Sequence, residues 1–225
     1  MVKAGNIIYS KASDFPETVP IFPLTGALLL PGGHMPLNIF EPRYLEMIDD
    51  AMSSSKIIGM IQPCLKSDCS GDTQPTLSKI GCLGRISAFQ ETGDGRYLIS
   101  LCGICRYEVI EEISVNTNYR QCKIQVLEED LIEHSLEENP IDRDALLTAF
   151  RNFLNANSMD ADWKAVTNTD NQTLVTALCM MCPYSPQEKQ ALLEAPDLKT
   201  RADTLIAISE VHLARNAGDD NIPLQ

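Results

Sequence analysis

The 225-residue chain lacks any long hydrophobic run: its densest apolar segment, Ile57–Ile61, is far too short to cross a membrane as a helix. Its first residues contain one lysine but neither an apolar core nor a small-residue cleavage pattern, so no secretory signal is predicted. Hydrophobic residues make up 44% of the chain and charged residues 22%, which excludes general disorder. We therefore expect a folded cytoplasmic protein with no membrane partner.

Clustered positive charge is also scarce. The 18 lysines and arginines are outnumbered by 31 carboxylates, for a net charge of −13, and most of the excess falls within residues 128–144. Because binding phosphates requires clustered cations, nucleic acid and anionic membranes are both disfavoured partners. We interpret residues 128–140 as an acidic linker that leads into a helix.

No motif of an enzyme is present. No glycine is followed by lysine, so there is no phosphate-binding loop, and the glycine, serine and histidine motifs of dehydrogenases, hydrolases and zinc proteases are missing. The histidines are scattered at His34, His134 and His212. We predict no catalytic residue and no cofactor, and an enzyme acting on a small molecule is the least favoured function.

Eight cysteines without a secretory signal are expected to be reduced thiols. Two pairs have the spacing of zinc ligands, Cys102 with Cys105 and Cys179 with Cys182. The first pair lies in a strand-like alternation and the second on an apolar helical face. Burial as small apolar side chains is therefore favoured over zinc binding, and no metal site is predicted.

Residues 15–127 have the pattern of short β-strands with one helix. Prolines recur among the first apolar segments, including Pro20, Pro23 and Pro36, which predicts edge strands, bulges or barrel corners. Pro42 is suited to the first position of a helix. The Asp94–Gly95 turn predicts a long hairpin, and Gly103 a bend or bulge. Five or more short strands with glycine corners indicate a small, partly open barrel.

The second half changes to a helical period, with apolar residues at steps of three and four from residue 141. Helices are predicted over 141–154 and 171–181, after the capping box that begins at Ser185, and after Asp197. We group 141–217 as a helical bundle, with 1–14 as an N-terminal arm and 218–225 as a flexible tail.

Several spaced motifs resemble one known family. They are Pro20-Ile-Phe-Pro-Leu24, Leu30-Pro-Gly-Gly33, Pro36-Leu-Asn-Ile-Phe-Glu41, Arg43-Tyr44, Gly95-Arg96 and Gly103-Ile-Cys-Arg-Tyr107. Their order and spacing are similar to those of the N-terminal domain of Lon protease, and the resemblance is strongest over residues 15–127. It implies an α+β fold: a PUA-like pseudo-β-barrel with one inserted helix, followed by a C-terminal helical bundle. It also implies a part in recognising unfolded or tagged proteins.

The chain departs from full-length Lon because it contains neither the ATPase motif nor a protease domain. The predicted function is therefore a non-catalytic protein- or peptide-binding module. Its expected partners are unfolded or extended polypeptide segments, with a separate protease as a further candidate. The alternative is RNA binding, since PUA-like folds elsewhere hold RNA. That alternative would need a local basic patch formed by Arg85, Arg96, Arg106, Arg120 and Lys123.

Seven residues of the matching motifs are candidates for peptide binding: Phe22, Leu37, Phe40, Glu41, Arg43, Tyr44 and Arg106. The apolar and aromatic members fit either the core between barrel and helix or a groove for extended peptides, and the sequence leaves both roles open. For the carboxylate and the two arginines, an ion pair that fixes the helix to the barrel is favoured over contact with a ligand.

Overall fold

The computed structural model describes residues 1–64, 75–132 and 141–219, with side chains up to residue 215. The residues outside these ranges include Cys69, His134, most of the acidic linker and most of the tail. The strands are β1 (Val2–Ala4), β2 (Ile7–Tyr9), β3 (Thr18–Pro23), β4 (His34–Ile39), β5 (Ile57–Ile61), β6 (Ile80–Thr92), β7 (Arg96–Ile113) and β8 (Arg120–Val126). The helices are α1 (Pro42–Met52), α2 (Arg143–Ala156), α3 (Trp163–Asn168), α4 (Asn171–Met181), α5 (Pro186–Glu194) and α6 (Leu198–Asp219).

The chain forms two compact units. The first comprises Met1–Glu133 and Pro183–Leu193, and the second comprises His134–Cys182 and Glu194–Gln225. Nearly all of α5 thus belongs to the first unit, although the helices on either side of it in sequence belong to the second. The domain boundaries given above from the sequence stay predictions.

Five strands of the first unit close into a barrel. The hydrogen-bonded order runs β7, β6, β5, β3, β8, and β8 pairs again with β7. The strand β4 pairs with the first half of β7, outside this ring. With α1 inserted between β4 and β5 and helices following β8, the arrangement confirms the predicted α+β barrel fold.

Of the three predicted settings for the prolines, an edge strand applies to β4, whereas β3 accommodates its prolines with neighbours on both sides. The reason is that the two ladders of β3 are offset. Thr18 to Ile21 pair with β8, whereas Ile21 to Pro23 pair with β5. Each proline therefore lies where β3 has a partner strand on one side only. The missing N–H does not remove a hydrogen bond between the strands.

Gly103 lies at a bulge between β6 and β7, as predicted, where the register shifts between Leu83 and Gly84. The loop that follows β3 passes close by: Gly103 donates its N–H to the Gly33 carbonyl at 2.8 Å. A Cβ at position 103 would lie 2.0 Å from the Leu30 carbonyl oxygen. Only glycine fits this close approach of two backbones.

The barrel interior is filled by aliphatic side chains and Tyr107, all buried. The core also includes two cysteines of the barrel strands, Cys105 and Cys122. The hairpin formed by β1 and β2 adds Ala4 and Tyr9. All seven described cysteines are free thiols, and both CxxC pairs are buried, which confirms the prediction that they are core residues.

Helix α1 begins at Pro42, as predicted, and buries Tyr44, Met47, Ile48 and Ala51. Two of its carboxylates accept hydrogen bonds from the loop between β7 and β8. The Tyr119 hydroxyl donates to Asp50 at 2.7 Å, and the Asn118 amide donates to Glu46 at 2.5 Å. These bonds fix the helix, and the residues that precede it, against the sheet.

In the second unit, helices α2, α3 and α4 each begin at an aspartate whose carboxylate accepts N–H bonds: Asp142, Asp162 and Asp170. The guanidinium of Arg143 donates to three carbonyls at the end of α3 and just after it, those of Val166, Thr167 and Thr169. Local capping thus defines these helix starts. In the first unit, α5 has the predicted capping box, with Ser185 and Glu188 bonded to each other.

Candidate functional site

Two of the candidate aromatic residues form a buried pair where α1 meets β3. The ring centroids of Phe22 and Tyr44 are 4.4 Å apart, and both side chains are buried. Burial raises the pKa of the Tyr44 hydroxyl, and the nearby charges of Arg43 and Glu41 act in opposite directions. This pair supports the start of α1 from beneath.

The charged pair at the start of α1 lies on the surface. The Arg43 guanidinium is 2.7 Å from the Glu41 carboxylate and 4.5 Å from the centroid of the Tyr44 ring. About half of each charged side chain is exposed. Because of this exposure, both groups are accessible to a ligand. An exposed pair of this kind contributes little to stability.

Arg106 lies elsewhere and has a different partner from the one expected. It is buried, and its guanidinium forms a two-pronged ion pair with Asp130, at 2.7 and 2.9 Å. Burial alone would lower the pKa of Arg106, but the hydrogen bonds and charge of Asp130 outweigh it and raise that pKa. The predicted ion pair between α1 and the barrel is therefore wrong for Arg106, whose pair joins β7 to the 3₁₀ turn after β8.

The remaining two candidates lie on or beside the edge strand. Leu37 is partly buried and is paired with Ile99 of β7. Phe40, one residue beyond β4, is 61% exposed, and the Arg96 guanidinium lies 5.9 Å from its ring. Sequence reasoning missed Leu98, which is 43% exposed and is paired with Asn38.

Arg96 and Leu98 are two residues apart on one strand, so both side chains point to the same side of the sheet. We call this side the open face and define it by five exposed residues: Pro36, Asn38, Phe40, Arg96 and Leu98. Exposed side chains of this size, adjacent to one another, are typical of surfaces that bind other polypeptides.

The open face is bordered by a free strand edge. Among the described strands, β4 pairs only with β7, so its other side carries main-chain groups that a further strand could bind. Pro36 interrupts this edge by removing one N–H, which limits pairing between copies of the chain. An edge next to exposed apolar side chains can bind an extended segment by strand addition.

The five residues proposed as a basic patch do not act together. Arg85 is buried and donates to the Ser55 carbonyl at 3.0 Å. Arg106 is paired with Asp130, Arg120 with Glu112, and Arg96 with Asp94. Lys123 faces solvent. With three of the cations neutralised and another buried, the arrangement gives no support to RNA binding.

The buried cysteines are held as neutral thiols. Burial raises the pKa of Cys105, and it raises that of Cys179 to about 12. Metal binding and nucleophilic attack both require the thiolate, which this environment disfavours. Within residues 1–64, 75–132 and 141–219, no group of three or more His, Cys, Asp or Glu side chains is placed to hold a metal ion.

None of the described helices combines the length and the apolar composition needed to cross a bilayer. The first unit is thus a small barrel domain with one inserted helix and an open strand edge, followed in the chain by helices. The chain belongs to the family of substrate-binding domains of ATP-dependent protease La (LON), whose model matches residues 18–209.

Curated relatives support this membership. The chain is 26% identical over 209 residues to Lon protease of Flavobacterium johnsoniae, covering 90% of this chain and 25% of the relative. It is 29% identical over 202 residues to Lon protease of Parabacteroides distasonis, covering 85% and 24%. The chain therefore spans about a quarter of the length of these relatives.

Solved structures show the same fold. A Lon N-terminal domain protein from Xanthomonas campestris superposes with a TM-score of 0.60 at 21% identity, covering 84% of this chain and 97% of that one. The N-terminal domain of Mycobacterium avium complex Lon protease gives 0.56 at 16% identity, covering 87% and 100%. At these identities the likeness concerns the fold alone.

Proposed function

We propose that this chain is a non-catalytic module that binds unfolded or extended polypeptide segments through the open face and the free edge of β4. The observation that carries the proposal is the exposed ring of Phe40, beside Leu98 and an unpaired strand edge, in a member of a substrate-binding domain family. Strand addition supplies affinity without sequence specificity, which suits a binder of unfolded chains.

The candidate residues take different parts in this proposal. Phe40 contacts the bound segment, and Leu37 lies at the margin of the contact. Glu41 and Arg43 form a charged rim that meets polar groups of the segment. Phe22 and Tyr44 support the start of α1 from within, and Arg106 holds the barrel together without touching the ligand.

A separate protease is the further partner we propose. The matched relatives are about four times longer than this chain, and the sequence contains no ATPase or protease motif. The free thiols among the described cysteines support a reducing compartment, so the cytoplasm stays the predicted location.

The test is a titration of this protein into a fluorescently labelled, reduced and carboxymethylated protein that cannot refold. Phe40→Ser should weaken binding about tenfold, because an aromatic contact of roughly 1.5 kcal/mol or more is lost. The matched control is Ile8→Ser, since Ile8 on β2 is 59% exposed against 61% for Phe40. Unchanged unfolding curves for both variants exclude a folding defect.

The proposal fails if the wild-type chain does not bind the unfolded probe, or if both serine variants weaken binding equally. Salt-sensitive retention of RNA by the wild-type chain would instead favour the alternative function.

A further inference from the structure

A second surface of the first unit is a groove of about 960 Å³ that the sequence motifs do not include. It is lined by residues of the segments 12–17 and 123–129 together with Ile110, and we call it the β8 groove. Phe15 and Ile124 form a buried apolar base, while Val126 and Leu127 are partly exposed.

Ile110 faces outward at this groove, because Tyr107 and Val109 face the core and side chains alternate along the strand. Val109 pairs with Ile124 and Glu111 with Lys123, so Ile110 is the extra residue of β7. Its side chain is 51% exposed, although it lies within a barrel strand. The bulge leaves Ile110 without a paired residue on β8, and bulges often occur beside functional sites.

The groove also contains an open strand edge. The Leu127 N–H donates to the Arg106 carbonyl, and the Ile124 N–H donates in the opposite direction, to the Glu17 carbonyl. Because these directions alternate along a strand, the N–H and carbonyl of Val126 point away from β7. The pairing of β8 with β3 and with Glu17 before it ends at Ile124, so β3 does not cover Val126.

The charge of the lining is negative. Three glutamates, Glu17, Glu128 and Glu129, line the groove against one lysine, Lys123. The Ala12 N–H donates to Glu128 at 3.0 Å, and Glu17 is exposed to solvent. In a chain of net charge −13, this lining favours a cationic ligand over an anionic one.

We propose that the β8 groove binds an extended polypeptide segment that carries apolar side chains together with lysine or arginine. The main-chain groups of Val126 add the segment as a strand, Ile110 contacts its apolar side chains, and the glutamates bind its cations. The inference rests on the proposed function, because it names the class of segment that the module prefers, but it uses a separate surface.

The test uses short synthetic peptides with blocked ends: alternating valine and lysine, alternating valine and glutamate, and the first peptide N-methylated at alternate residues. Ile110→Ser should weaken binding of the valine–lysine peptide about tenfold, with Ile8→Ser as the exposed control. Glu17→Gln should weaken it about twofold and reduce its salt dependence. The valine–glutamate and N-methylated peptides should bind more weakly to the wild type.

Equal affinity of the wild type and of Ile110→Ser for the valine–lysine peptide would overturn the inference. If Phe40→Ser still weakens binding of the unfolded probe in that case, the proposed function stands alone. Conversely, loss of valine–lysine binding in Ile110→Ser supports the groove even where Phe40→Ser has no effect. Self-association that Ile110→Ser abolishes would assign the groove to a second copy and contradict the proposal.

Discussion

The two halves of β7 behave differently, although they form one continuous strand. In the first half, which pairs with β4 and the tip of β6, Leu98 is 43% exposed. In the second half, which pairs with β8 and the base of β6, Ile104 and Tyr107 are fully buried. Only the second half is closed into a ring, and its exposed apolar residue, Ile110, lies at the bulge against β8.

Closure makes the second half crowded. Gly59 and Gly81 leave room for the Tyr107 ring: a Cβ at either position would lie within 2.6 Å of its hydroxyl oxygen. The first half has no such crowding on its exposed side. We infer that stability depends mainly on the closed part, and that surface substitutions on the open face cost little stability.

The largest expected effect is at the buried ion pair of the closed part. Arg106→Met leaves the Asp130 carboxylate buried without its partner, so the free energy of unfolding should fall by roughly 3–5 kcal/mol. Urea unfolding measures this loss. The double variant Arg106→Met/Asp130→Leu should recover most of it, because no buried charge remains.

An Arg106→Met protein that unfolds at the wild-type urea concentration but no longer binds the unfolded probe would reverse the comparison. Arg106 would then be a ligand contact, and the closed part would not be a purely structural region.

Gly103→Ala is the next largest effect, and it tests the contact between the barrel and the loop after β3. The added methyl meets the Leu30 carbonyl oxygen, so the backbone must shift, at a cost of about 3 kcal/mol. Gly93→Ala is the control at the hairpin tip, where nothing lies within 4 Å of the added Cβ. Equal melting temperatures for the two variants would show that the bulge is not tightly packed.

The smallest effect is a dependence on alkaline pH. Burial raises the pKa of Cys122 from 9.0 to about 11. The unfolded chain therefore releases this proton at a lower pH than the folded chain. The contribution of the Cys122 thiol to the free energy of unfolding is fully present below pH 9 and is lost as the pH rises towards about 11. Cys122→Ala should make unfolding curves less sensitive to pH across this window. An unchanged pH dependence would mean that the thiol is not sequestered from water.

The sequence predicts features that depend on local chemistry. Pro42 begins α1, the Asp94–Gly95 turn connects β6 and β7, and Ser185 with Glu188 caps α5. Each depends on residues within a few positions along the chain, where backbone preferences and capping act. The pattern of short strands and glycines indicated a small, partly open barrel, and the resemblance to a known family added its PUA-like type.

Features set by distant contacts could not be predicted. The partner of Arg106 is 24 residues away, in the run interpreted as a solvated acidic linker. The unpaired position of Ile110 depends on a register shift against β8, and the membership of α5 in the first unit depends on contacts with β6 and the loop after β3. Nothing in the residue pattern indicates these pairings.

Hydrogen exchange of the full chain, with and without the unfolded probe, tests the central claim most directly. The account predicts added protection of the main-chain amides of β4 and of Leu98, while the amides from Ile104 to Tyr107 exchange equally slowly in both states. Protection confined to α2, α4 and α6, or no added protection at saturating probe, would contradict it.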